Sequence, residues 1–227
     1  MARNNMKHPL IVHDRPRSVI SEKFRGIRSN IMFANAKNEI RSVIVTAEKP
    51  TAGKSFITAN VAITYAQAGY RTLIIDGDMR KPTQQYLFNT SNQEGLSSLI
   101  IGRTTFDQAI NSTEVEGLDL LTSGPIPPNP SELIDSDEFY QVYQKLLNDY
   151  DFIIIDTPPV NTVTDAQVYL KYINHALMVI DVEDNNKKEV RKAKTLLEKT
   201  GGKILGVVLN KAPQEKSSSY HYYGEEE

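Results

Sequence analysis

Apolar residues follow two spacings along this chain. Ile20, Phe24, Ile27 and Ile31 recur at near-helical intervals behind Ser18, a residue type that caps helix N-termini, and predict a helix over 18–35. Ser42-Val-Ile-Val-Thr46 is a short β-branched run, followed by a turn containing Pro50 and Gly53 and a helical segment, 55–68, that Gly69 ends. Further strands are predicted at 72–76, 118–122, 152–156, 176–182 and 203–210, mostly separated by helix-length segments. Strand alternating with helix means a parallel sheet. Phe152-Ile-Ile-Ile-Asp156 and Leu73-Ile-Ile-Asp76 are apolar at every position before their acid, as strands are when helices cover both faces of the sheet. The expected fold is α/β, doubly wound, with a mainly parallel sheet. Ligands of such folds bind beyond the carboxyl ends of the strands, where Asp76, Asp78 and Asp156 fall. Gly124-Pro-Ile-Pro-Pro-Asn-Pro130 interrupts the alternation as an extended connector.

Composition narrows the class. At 227 residues, 40% hydrophobic and 24% charged, the chain suits one globular domain. The formal net charge of −2 gives no global attraction to nucleic acid or an anionic membrane, and no nucleic-acid partner is expected. The absence of cysteine removes disulfides, cysteine zinc sites and thiol nucleophiles, and suits a reducing cytosol. No run approaches 18 apolar residues and no export signal is recognisable, so membrane attachment would need a partner. Residues 1–17 read as a polar leader, 18–212 as the domain and 213–227 as an aperiodic tail, disordered or docked in trans.

Ala47-Glu-Lys-Pro-Thr-Ala-Gly-Lys-Ser55 follows a strand and opens a helix, the context of a phosphate-binding loop. The pattern G-x-x-x-x-G-K-S/T is imperfect, because Glu48 takes the first glycine position, yet Gly53, Lys54 and Ser55 are in place. Such a loop offers amides and a helix N-terminus to phosphate oxygens, a lysine to the terminal phosphates and a hydroxyl to Mg²⁺. The bland alternative is a strand-to-helix turn with an exposed lysine. Hard cations want carboxylates, and Asp156 ends its strand as a Walker-B acid does. Asp76-Gly77-Asp78 with Arg80 ends another; alone, either strand end could be a solvated turn.

Taken together, these motifs resemble the cytoplasmic catalytic domain of bacterial protein-tyrosine kinases, the BY-kinases, over nearly the whole chain. The matching elements are a Walker A at 48–55, a Walker A′ at 73–80, a Walker B at 152–156, a tyrosine-rich C-terminus, and an E-x-x-R-x-x-R motif formed by Glu22, Arg25 and Arg28. The resemblance implies a P-loop fold and an ATP- and Mg²⁺-dependent kinase. Lys49, Pro50, Thr51, Ala52, Gly53, Lys54, Ser55 and Phe56 would surround the ATP phosphates. Ser55, Asp76 and Asp156 would organise the metal, Lys54 would neutralise the transferred phosphate and Asp78 would act as base towards tyrosine. Asn210 would contact the purine; a strand-closing asparagine is otherwise a turn residue.

The family loop usually reads Pro-Gly where this chain has Pro50-Thr51. A positive φ at Thr51 would cost about 1 to 3 kcal/mol, whereas a negative φ would make the threonine harmless. Of eleven tyrosines, Tyr220, Tyr222 and Tyr223 crowd the last eight residues. By the resemblance they are autophosphorylation sites, and Glu22, Arg25 and Arg28 build a homo-oligomeric ring in which each tail enters a neighbour's site. A charged stripe of this kind can equally be a solvated helix face. The resemblance further implies a separate transmembrane activator that recruits the cytoplasmic chain to the inner face of the membrane. It also implies protein substrates from sugar-nucleotide, capsule and exopolysaccharide metabolism. Two other functions compete: a partition or positioning ATPase of the MinD/ParA type, whose signature lysine Lys49 would be, and a weak nucleotide-binding scaffold disabled by Thr51.

Overall fold

The computed structural model describes residues 9–34, 40–184 and 186–213. Among them, β1 (Ser42–Ala47), β2 (Thr72–Asp76), β3 (Ile110–Ser112), β4 (Leu118–Leu121), β5 (Phe152–Asp156), β6 (His175–Asp181) and β7 (Lys203–Asn210) form one sheet. Its order is β3-β4-β2-β5-β1-β6-β7. Every pairing is parallel except β3 with β4. The sequence did not announce β3, whose three residues are too few to show a period.

The apolar runs divide strictly by parity. Ile44, Leu73, Ile75, Ile153 and Ile155 enter a core with α5 (Leu96–Ile100), α7 (Pro130–Ile134), α8 (Asp137–Asp149), α9 (Asp165–Ile173) and α10 (Lys187–Glu198). Val43, Val45, Ile74 and Ile154 enter the opposite core with α1 (Ile11–Asp14), α2 (Val19–Ala34) and α3 (Lys54–Ala66). Two short helices, α4 (Gln84–Leu87) and α6 (Phe106–Ala109), follow β2 and precede β3. All of β1, β2 and β5 is buried, as a sheet covered on both faces requires. The proline-rich connector runs into α7, with Pro130 in its first turn, where a missing N–H costs nothing.

The polar leader does not extend to residue 17. Leu10 and Val12 are buried at 3% and 0% exposure, and α1 packs on α3. Asn60 of α3 fastens this segment: its Oδ1 accepts from the Val12 amide at 3.0 Å and its Nδ2 donates to the Pro9 carbonyl at 3.0 Å. The Leu10-Ile-Val12 run is too short to display a period, so its burial is written in the partner helix. Leu10→Ala should destabilise the protein by roughly 2–5 kcal/mol in urea unfolding, whereas a solvated leader would lose nothing measurable.

Candidate active site

Parallel register decides where the acids meet. β2 and β5 are neighbours, and Asp76 pairs directly with Asp156. Gly77 then turns the chain: its amide donates to the Asp156 carbonyl at 2.8 Å, and a Cβ there would lie 2.8 Å from that oxygen and 2.9 Å from the Tyr169 hydroxyl. Only glycine permits this approach, which delivers Asp78 to the same end of the sheet. Asp76 and Asp156 are fully buried and Asp78 nearly so.

Lys54 lies among these acids. Its Nζ stands 3.0 Å from Asp78 Oδ2, 3.4 Å from Asp156 Oδ1 and 3.3 Å from Ser55 Oγ. Burial works against its charge, but Asp156 and Asp78 outweigh that and hold the ammonium above the ordinary lysine value. One cation does not satisfy three carboxylates. Burial, reinforced by Asp156, pushes Asp76 up to about 7 against the opposing pull of the Gln84 and Thr83 amides. Those amides donate to Asp76 Oδ2 at 2.8 Å each, while Oδ1 is buried without a hydrogen-bond partner. Surplus carboxylate, an orphaned oxygen and the Ser55 hydroxyl make a donor set that fits a hard divalent cation.

Gln84, on which the sequence carries no signal, joins the parts: Nε2 donates to Asp156 Oδ2 at 2.9 Å and to the Ser55 carbonyl at 3.1 Å. Arg80, which lines the cavity beside the phosphate loop, is held by the buried Asp165, with Nε and Nη2 2.9 and 3.0 Å from its two oxygens. A cavity of about 470 Å³ opens here, lined by Thr51, Lys54, Ser55 and Asp78 and by the apolar side chains of Leu87, Pro158, Pro159 and Val163.

The remaining loop residues divide between the cavity and contacts outside it. Thr51 has φ +67° and Gly53 φ +92°, so the threonine occupies the strained conformation that glycine would take freely. Lys49 points away from the phosphate site: its ammonium bonds the Asp184 carbonyl, lies 2.8 Å from Asp184 Oδ2 and is 3.5 Å from Asp181. Pro50 and Ala52 hold their loop positions. The Phe56 ring packs edge-on against Phe24 at 5.7 Å, tying the loop's helix to α2. Glu48 is 2% exposed, neither of its carboxylate oxygens has a partner, and burial raises its pKa. Asn210 closes β7 beside the loop, its Nδ2 donating to the Ala52 carbonyl at 2.8 Å.

The charged stripe is partly used within the chain. Arg25 pairs with Glu22 and donates to the Pro16 carbonyl at 2.7 Å, while Arg28 donates to the Thr64 carbonyl and so fixes α2 to α3. Tyr220, Tyr222 and Tyr223 lie outside the described residues.

A glycine-and-lysine loop between β1 and α3, facing acids at the ends of two adjacent strands, defines a P-loop nucleotide-handling domain of the α/β class. Residues 40–201 match a family described as an AAA domain. A Staphylococcus aureus protein named putative tyrosine-protein kinase CapB is 64% identical over 215 residues, covering 95% of this chain and 94% of that protein. Tyrosine-protein kinase YwqD of Bacillus subtilis is 38% identical over 221 residues, with coverages of 97% and 93%. The crystal structure of the chimerical protein CapA2B2 superposes with a TM-score of 0.89 at 61% identity, covering 91% of each chain. The chain belongs to the bacterial tyrosine-protein kinase family.

Two expectations follow from the site. Thr51→Gly exchanges left-handed strain of about 1–3 kcal/mol for a smaller entropic cost, so its urea midpoint should hold or rise; a clear fall would mean that the threonine side chain supports the loop. For Asp76, a folded-state pKa raised from 3.8 to about 7 means that its stabilising contribution is full below pH 4 and lost as pH rises through 7. Without divalent cation, wild type should therefore weaken relative to Asp76→Asn between pH 5 and 8. Urea unfolding of both proteins across that range should show the gap, and Mg²⁺ should close it.

Proposed function

We propose that this chain is an ATP-dependent protein-tyrosine kinase. The observation that carries the reading is Lys54, held between Asp78 and Asp156 in the wall of a cavity that reaches the phosphate loop. Lys54 meets the terminal phosphates of ATP and balances their charge, while the loop amides and the N-terminus of α3 fix them in place. The tyrosine oxygen forms a bond to the γ-phosphorus as the bond to the β,γ-bridging oxygen breaks, giving phosphotyrosine and ADP. Asp78, 4% exposed and facing the cavity, takes the phenolic proton. Ser55, Asp76 and Asp156 would hold Mg²⁺, which supplies charge neutralisation on the phosphate oxygens when bound. Ground-state order comes from Gln84 and Gly77, which lock the two acid-bearing strand ends to the loop and to each other.

The finer reading is autophosphorylation of Tyr220, Tyr222 and Tyr223 in trans within a ring contacted through Glu22 and Arg25, with Arg28 bracing the helix that carries them. A transmembrane activator would bring the chain to the inner face of the membrane, and capsule and exopolysaccharide enzymes would be its substrates. This reading is supported by the tail's tyrosine clustering and by relatives named tyrosine-protein kinases. Lys49, engaged with Asp184 and Asp181, is poorly placed for the MinD/ParA alternative.

Purified chain incubated with Mg-ATP, with its activator segment supplied, should gain phosphotyrosine. Lys54→Met and Asp156→Asn should each lower the yield by a factor on the order of 10²–10³. Undiminished labelling of either variant would refute the site, and ATP hydrolysis without phosphotyrosine would favour the ATPase switch. Replacing Tyr220, Tyr222 and Tyr223 together by Phe should remove most of the label, and light scattering before and after ATP should show that the Phe variant stays assembled while wild type disperses.

A further inference from the structure

The orientation of one peptide plane decides what the phosphate loop offers to a ligand. Rotation of the Ala52–Gly53 peptide changes ψ of Ala52 and φ of Gly53, and glycine accepts either sign of φ at little cost. In the orientation present, Gly53 has φ +92°. The Ala52 carbonyl then faces β7 and accepts from Asn210 Nδ2 at 2.8 Å. The identity of the donor is chemically fixed, since a carbonyl only accepts and the amide nitrogen must face it. A trans peptide directs its N–H opposite to its C=O, so the Gly53 N–H points away from Asn210. In the flipped state, the carbonyl oxygen would take the side the N–H now holds and the loop would lose a donor there.

The asparagine is itself well anchored. Its carbonyl accepts from the Val182 amide at 3.0 Å, and the next residue, Lys211, reaches Asp181 Oδ2 at 2.7 Å. Asp181 also lies 3.5 Å from Lys49 on the loop's outer side. A Cβ on Gly53 would overlap the Asn210 amide nitrogen, so the two residues touch. The ends of β6 and β7 therefore grip the phosphate loop from behind at two points, the Ala52 carbonyl and the Lys49 ammonium.

We infer that Asn210 is a positioning residue for the phosphate loop: it holds the Ala52–Gly53 peptide with its N–H towards the phosphates, whatever contact it also makes with a purine. The inference rests on the loop being the triphosphate site proposed above. A purine contact and a loop brace predict different losses, because inorganic triphosphate has no base.

The experiment is calorimetric titration of the full chain with Mg-ATP and with Mg-tripolyphosphate, for wild type, Asn210→Ala and Asn210→Asp. Loss of one hydrogen bond's worth of preference should weaken tripolyphosphate by about three- to tenfold in Asn210→Ala. Asn210→Asp, whose carboxylate repels the Ala52 carbonyl, should weaken it further. Unchanged tripolyphosphate binding with weakened ATP binding would reduce Asn210 to a purine contact and overturn the inference. If wild type binds neither probe, the site reading fails and the inference with it. An independent readout is the Gly53 amide resonance: in ligand-free Asn210→Ala it should broaden or double as the peptide samples both orientations, and a single sharp wild-type-like resonance would overturn the inference.

Discussion

Crowding of like charge at one end of the sheet is the constraint from which the rest of this molecule follows. Asp76 and Asp156 are register partners on adjacent parallel strands, Asp78 is brought to them by Gly77, and Lys54 is the cation placed among them. In water such a cluster would disperse; here Asp76 and Asp156 are fully buried and Asp78 nearly so, so charge must be neutralised by proton, lysine or metal. Asp76 bears the imbalance: burial and Asp156 raise its pKa, and its Oδ1 has no hydrogen-bond partner. Those acids are the groups that the proposed Mg²⁺ would neutralise.

The surrounding structure reads as the means of holding that cluster together. Two cores, one on each face, keep β1, β2 and β5 fully buried, and this fixes the register that opposes the acids. Gln84 spans Asp156 and the Ser55 carbonyl, while the Thr83 and Gln84 amides restrain Asp76. Arg80, paired with Asp165, braces the second motif against α9. Thr51 keeps a left-handed φ although its residue type opposes it, and behind it the Asn210 amide holds the neighbouring Ala52 carbonyl.

Much of this was legible in the sequence. Uninterrupted apolar strands ending in acid gave away a doubly covered parallel sheet, and the Gly53-Lys54-Ser55 signature located the loop, because both signals are local. What escaped is non-local. Gln84 and Asn60 are ordinary polar residues until the fold brings Asp156 or Pro9 to them. Lys49 sits at the position of a signature lysine, yet its direction is set by Asp184, 135 residues away in the chain. Arg28 belongs to a recognisable stripe but spends its guanidinium on the Thr64 carbonyl, a contact that no spacing rule contains.

The ligand-free site holds more buried carboxylate than Lys54 neutralises, and a divalent cation would relieve the excess. A carboxyl-carbon NMR titration of Asp76 reports this directly. The account predicts a midpoint of about 7 in the ligand-free chain, against an ordinary value of 3.8, and a marked downward shift when Mg²⁺ is added. A midpoint near the ordinary value, or one that Mg²⁺ leaves in place, would contradict it.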